Sequence, residues 1–219
     1  MLPGWALVLI AFFALAGLRC GYWCRRRISW HSAEQAPHRL ASAALPLCMV
    51  VVLGSGGHTT EILGLLKDFD PKKYSCHFIL ADTDTTSVKK LSTLRPDLAK
   101  DASRFHVIPR SREVGQSWST TILSTLKALL VCLRLVWEIK PSVLMVNGPG
   151  TCVPVVLSAL FFELLFAREV VLIFVESICR VKTLSLTGWL LYPIADLFVV
   201  QWQQLVAKHG KARYLGVLL

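Results

Sequence analysis

Three features of the sequence predict an α/β fold, a parallel sheet with helices on both faces behind an N-terminal membrane helix. Six short apolar runs alternate with helical patterns through residues 46–219. The first run leads directly into a glycine-rich loop and then a helix, LCMVVVLGSGGHTTEILGLL over residues 47–66. A charge-free stretch, residues 2–18, opens the chain. Alternating strands and helices of this kind build a Rossmann-like sheet, with ligands beyond the carboxyl ends of its strands. The resulting division is a transmembrane anchor over residues 1–24, a linker over 25–45 and a Rossmann-like domain over 46–219.

The anchor comes first. Residues 2–18 are at the lower limit for a span, and Arg19, Tyr22 and Trp23 extend them with side chains suited to the interface. A cleaved signal peptide would carry its positive charge before the apolar run, whereas here Arg19, Arg25, Arg26 and Arg27 follow it. The excess of positive charge on that side orients the N-terminus across the membrane and leaves the domain in the cytosol. Seven cysteines, odd in number and without repeated CxxC spacing, fit a reducing compartment with neither a disulfide framework nor a zinc site. Net charge is +10 and apolar content 54%. No basic block is interleaved with aromatics through the body of the chain, which argues against nucleic acid and for a lipid surface or an anionic substrate.

Residues 28–45 show no apolar period and read as a tether. Strands are expected over residues 47–53, 77–81, 105–108, 143–146, 170–175 and 197–200. Between residues 118 and 139 a narrow polar stripe (Thr120, Ser124, Lys127, Arg134, Glu138) leaves apolar surface enough to meet the sheet and also a membrane or partner. Residues 151–166 are apolar nearly all round and too short to span a bilayer. They are expected to be buried in the fold or to lie at the interface.

Chemistry gathers at the strand ends. Gly54, Ser55, Gly56 and Gly57 join a strand to a helix, so that backbone N–H groups and the helix start face an anion. The alternative is a tight turn without a ligand. The loop lacks the Gly-Lys-Ser/Thr ending of an ATP loop, and Thr59 stands where a dinucleotide loop needs its third glycine, which disfavours ATP and NAD. His58 at the helix start is a candidate base or phosphate donor. Arg110 and Arg112 lie beside the predicted rim and suit phosphates. Asn147 and Gly148 belong to a second glycine loop whose donors reach the same place. Glu176 ends a strand, as a functional carboxylate or as a helix cap. Glu61 reads as support for its helix start, and Asp82 and Asp84 suit helix capping. No metal or cofactor signature occurs, and none is expected.

Six blocks in order then carry a resemblance: GSGGHTTE at 54–61, ADTD at 81–84, IPRSREVGQSW at 108–118, NGPGTCVP at 147–154, VESICRV at 175–181, and QW at 201–202 followed by YLG at 214–216. Together they are similar to the family of membrane-anchoring subunits of the two-component UDP-N-acetylglucosamine transferase of dolichol-linked oligosaccharide assembly. The resemblance covers residue 47 to the C-terminus.

The resemblance implies a GT-B glycosyltransferase split over two chains, this one being the acceptor-side half. The family reaction adds the second N-acetylglucosamine, in β-1,4 linkage, to dolichyl-diphosphate-N-acetylglucosamine. It takes place at the cytosolic face of the endoplasmic reticulum, where the anchor recruits a soluble catalytic subunit that brings UDP-N-acetylglucosamine. In that setting residues 54–57, Arg110, Arg112, Asn147 and Gly148 would hold the acceptor diphosphate. His58, or failing that Glu176, would take the proton from the attacking hydroxyl. The apolar finish Val217, Leu218 and Leu219 would dock the partner, or else pack inside its own domain. Two other readings stay open, a stand-alone nucleotide-binding enzyme and a membrane scaffold with a vestigial glycine loop.

Overall fold

The computed structural model describes residues 17–25, 27, 40, 45–112, 115–166 and 168–218. Seven parallel strands form one sheet: β1 (Leu47–Val52), β2 (Tyr74–Ala81), β3 (Phe105–Ile108), β4 (Val143–Val146), β5 (Val171–Val175), β6 (Leu197–Val200) and β7 (Ala212–Tyr214). Their order is β3-β2-β1-β4-β5-β6-β7, so the direction of winding reverses between β1 and β4. There Met49, Val50 and Val51 of β1 stand opposite Val143, Leu144 and Met145. The apolar run of β1 is explained by this central place, because both of its faces are covered. Val50 and Val52 enter one core, and Met49, Val51 and Leu53 enter the other.

The helices are α1 (Gly57–Leu65), α2 (Ser87–Leu94), α3 (Trp118–Ile139), α4 (Cys152–Phe166), α5 (Leu186–Leu191) and α6 (Gln203–Lys208). Ile62, Leu63 and Leu91 place α1 and α2 on the core of Met49 and Leu53. Cys132, Val136, Val156, Leu191 and Leu205 place the other four on the opposite core. Both long helices are two-faced. On α4, Val155, Val156 and Ala159 are buried, while Leu157, Phe161 and Leu165 are exposed at steps of four. β7 was not foreseen. At three residues it is too short to show a period, and it is held by register with β6, Phe198 to Ala212 and Val200 to Tyr214.

Among the described residues no helix is long and apolar enough to cross a membrane. The expected anchor falls largely on residues 1–16, outside the described residues, while residues 17–25 are helical. This helix is fastened to the domain: Arg19 donates to the carbonyls of Glu163 and Leu164 near the end of α4, and Trp23 packs against the core. Arg27, assigned to the linker and to the positive flank, is fully buried. Its guanidinium pairs with Glu163 and Asp196 and donates to the carbonyl of Val170 at 2.7 Å. A charge so placed is tolerated only because it is paired, and removing one partner of such a set costs about 3–5 kcal/mol.

His77 on β2 and His106 on β3 stack with ring centroids 5.3 Å apart and share a hydrogen bond of 3.0 Å. Burial pushes both imidazoles below the ordinary histidine range, helped at His77 by His106 and Arg104 and opposed by Asp101, and opposed at His106 by Glu138. The folded chain therefore takes up protons less readily than the unfolded one. This part of the stability is complete above the unfolded pKa of about 6.5 and is lost as pH falls from there through the lower folded values. The melting temperature should drop between pH 7 and pH 5, and His77→Gln/His106→Gln should flatten that part of the profile. An unchanged slope in the double variant would assign the acid sensitivity elsewhere.

Candidate functional site

The crevice opens at the carboxyl ends of β1 and β4, where the winding reverses and two loops diverge from neighbouring strands. The chain leaves β1 through Gly54 and Ser55, turns at Gly56 with φ of 70°, and enters α1 at Gly57. No side chain caps this helix start, so its first N–H groups are left for a ligand. Lys90, which no sequence motif marks, reaches across from α2 to the carbonyl of Gly56 at 3.1 Å.

The two glycine loops meet with no room to spare. A Cβ on Gly54 would lie 2.6 Å from Pro149 Cγ, and one on Gly148 would lie 2.5 Å from Cε1 of His58. Gly148 also has φ of 54°, a conformation that favours glycine. The His58 ring thus rests on the backbone of the second loop, with Nδ1 buried and unpartnered among the described residues. Its separation from Glu61 Oε2 is 3.7 Å, too long for a hydrogen bond.

Glu61 joins three loops. It accepts from Ser177 Oγ at 2.7 Å, from the Ile178 N–H at 3.2 Å and from Asn147 Nδ2 at 3.3 Å. Asn147 also donates to the carbonyl of His58 at 2.8 Å, and its own Oδ1 is buried without a partner among the described residues. Glu61 is therefore a cross-link between the rim loops rather than a support for its own helix start. Its position in the sequence could not show this, since Ser177 and Asn147 lie far along the chain. Asp84 caps α2 as expected, accepting from the N–H groups of Thr86 and Ser87 at 3.1 and 3.0 Å.

His58 divides the crevice in two. On one side a cavity of about 190 Å³ is lined by Ser55, Thr83, Arg110, Arg112 and Thr151 among others. On the other a cavity of about 330 Å³ is lined by Gly57, Glu61, Gly148, Ser177, Arg180 and Ser185 among others. Arg110 is aimed by its bonds to the Arg112 carbonyl at 2.9 Å and to Thr83 Oγ1 at 3.0 Å. Of the residues expected to bind one anion, Ser55, Arg110 and Arg112 line the smaller cavity, Gly57 and Gly148 line the larger one across His58, and Asn147 lines neither. Glu176 is different. It is fully buried, accepts from the N–H groups of Ser177 and Ser185 at 3.1 and 2.8 Å and from Ser185 Oγ, and lines neither cavity. Burial pushes its carboxyl above the usual range against those hydrogen bonds. It holds the start of α5, where Gly188 leaves it space.

Residues 49–218 match the family described as oligosaccharide biosynthesis protein Alg14 like. The chain belongs to the Alg14 family. The human UDP-N-acetylglucosamine transferase subunit ALG14 is 45% identical over 177 residues, covering 78% of this chain and 82% of that one. The Schizosaccharomyces pombe subunit of the same name is 40% identical over 174 residues, with the same coverage. Among solved structures, Acinetobacter baumannii MurG aligns with a TM-score of 0.54 at 15% identity, over 73% of this chain and 43% of that one. A UDP-N-acetylglucosamine 2-epimerase aligns with a TM-score of 0.51 at 15% identity, over 75% and 44%. These two likenesses are of fold, and the Alg14-family chain spans less than half of either.

The contact of Gly148 with His58 can be tested in this Alg14-family chain. Gly148→Ala places a methyl group in the imidazole and forces alanine to a positive φ, which costs roughly 1–2 kcal/mol before any clash. The melting temperature should fall by about 2–8 °C. Gly150→Ala is the control, because its Cβ would sit 3.5 Å from Ser111 Oγ, an ordinary contact. Equal melting of the two variants would remove the steric argument.

Proposed function

We propose that this chain is the acceptor-side subunit of a two-chain UDP-N-acetylglucosamine transferase, adding the second N-acetylglucosamine in β-1,4 linkage to dolichyl-diphosphate-N-acetylglucosamine. One observation carries the reading: an uncapped glycine-loop helix start, two rim arginines and a partly exposed imidazole share one crevice. The family membership and the names of the relatives support a UDP-N-acetylglucosamine transferase subunit in oligosaccharide biosynthesis, and the acceptor and linkage are this proposal's own.

In this reading the acceptor diphosphate lies in the cavity of Arg110 and Arg112, against the N–H groups that follow Gly56. Paired guanidinium and backbone donors suit its charge. The acceptor sugar then extends past His58. Its hydroxyl oxygen attacks the anomeric carbon of the donor sugar, the bond from that carbon to UDP breaks, and His58 takes the hydroxyl proton. The imidazole is the group at the partition between the two cavities, where it can meet the attacking hydroxyl. Glu176 orders the rim loop from beneath and is the weaker candidate for the proton, being enclosed on every side.

The donor is assigned to a soluble partner subunit. This chain spans less than half of the solved chains that share its fold, which suits one half of a two-part enzyme. Residues 1–24 serve as a single-pass anchor in the endoplasmic reticulum membrane, with the α/β domain cytosolic. The partner docks on the C-terminal tail. After β7 the chain turns at Gly216, φ 93°, and leaves the sheet with Leu215 and Val217 exposed. Leu218 is half-buried and its N–H donates to Gln201 Oε1 at 3.3 Å, and Leu219 lies outside the described residues.

Two measurements on the co-purified pair test this. His58→Ala should lower turnover by about 10²–10⁴ while the two chains still assemble; a loss under threefold would take the proton away from His58. Truncation after Gly216 should abolish partner pull-down and leave the melting temperature of the isolated chain unchanged. A matching fall in that temperature would instead assign Val217–Leu219 to the domain's own core.

A further inference from the structure

The two helical layers differ in their outer surfaces. On the α1/α2 side the exposed large apolar residues are Val88 and Leu94, among polar neighbours such as Lys67, Lys89 and Thr93. On the α3/α4/α5 side they run across all three helices. Leu123 and Leu130 on α3 are 69% and 70% exposed, Phe161 and Leu165 on α4 about half exposed, and Trp189 on α5 67% exposed. Apolar surface of this extent on one side of a domain marks something that covers it.

Two observations identify the cover. The helix over residues 17–25 is fastened to this same layer, by Arg19 to the carbonyls of Glu163 and Leu164 on α4 and by Trp23 against the core behind it. The described N-terminal helix is therefore held on the apolar side of the domain and not on the polar one. Cations are set among the apolar side chains as well: Arg134 projects from α3 with 85% of its side chain exposed beside Glu138, and Arg168 stacks on Trp137 at 4.3 Å. Aromatic and aliphatic groups interspersed with basic ones suit the boundary between phospholipid headgroups and acyl chains.

We propose that the α3/α4/α5 layer is a lipid-docking surface, on which the domain lies side-on against the bilayer, its apolar groups immersed to headgroup depth. The sheet then stands roughly parallel to the membrane plane, and the β1/β4 crevice opens along that plane. A substrate with a membrane-bound tail would be met without leaving the bilayer surface. The proposal concerns contact with lipid and holds whatever reaction the crevice performs.

The test is photocrosslinking of the full chain reconstituted alone in vesicles of phosphatidylcholine and phosphatidylserine. A benzophenone amino acid replaces Leu126, Phe161 or Trp189 in the apolar layer, or Lys89 in the polar layer as control. All four positions are exposed, so the replacements leave the core intact. Lipid adducts at the three apolar positions should exceed those at position 89 by at least tenfold. Adduct levels equal to the control would overturn the proposal. So would crosslinks to residues 1–16 of the same chain in place of lipid, or adducts that arise only when a protein partner is added.

Discussion

No further side chain fits between the first and second glycine loops beside Pro149 and the His58 imidazole. Gly54 lies against Pro149 and Gly148 lies against the His58 ring, so the ends of β1 and β4 approach as closely as two backbones and one imidazole allow. This follows from topology: adjacent parallel strands whose following helices go to opposite faces leave a gap, and the gap is useful only if the loops lining it are thin. Glu61 and Asn147 then hold the loops at that spacing from below. The imidazole is left with a fixed ring plane and a nitrogen that no described protein group uses. Preorganisation of this kind matters in a site that must hold a charged group and move a proton, because the donors need not reorganise when the ligand arrives.

The fold was largely legible because the central strands are continuous apolar runs. Residues 143–146 and 197–200 match their strands to the residue, while β2 begins at Tyr74 rather than His77, because Tyr74, Ser75 and Cys76 form no aliphatic run although Cys76 is in the core. The rim was legible for the same reason that strands are: residues just past an apolar run lie at a strand end. Hence Ser55, His58, Arg110 and Arg112 were gathered correctly onto one cavity. What the sequence could not show were side-chain directions and long-range partners. Glu176 ends its strand as expected, but its carboxylate turns inward to Ser185, and Lys90 reaches the Gly56 carbonyl from a helix with no mark of function. Neither fact has a period or a motif behind it.

The two layers of helices divide the work of the molecule. α1 and α2 face water and bring the glycine loop its helix start and Lys90. The opposite layer carries the apolar surface and receives the chain arriving from the N-terminus. The 54% apolar composition belongs to the whole chain. Part of its excess lies in the charge-free residues 2–18 and part lies outside α3, α4 and α5.

The buried guanidinium of Arg27 bears on how the domain can be handled apart from its N-terminus. Any version cut at the expected domain boundary near residue 46 would lose Arg27 and leave Glu163 and Asp196 facing each other as enclosed carboxylates with their shared counter-ion gone. Such a protein would favour protonation of one of them or admit water beside the starts of β5 and β6, with the Leu172 N–H still donating to Asp196 at 2.8 Å. A soluble form for biochemistry should therefore begin ahead of Arg27, keeping the helix over residues 17–25 as well, and be solubilised by changing its outward side chains rather than by removing it.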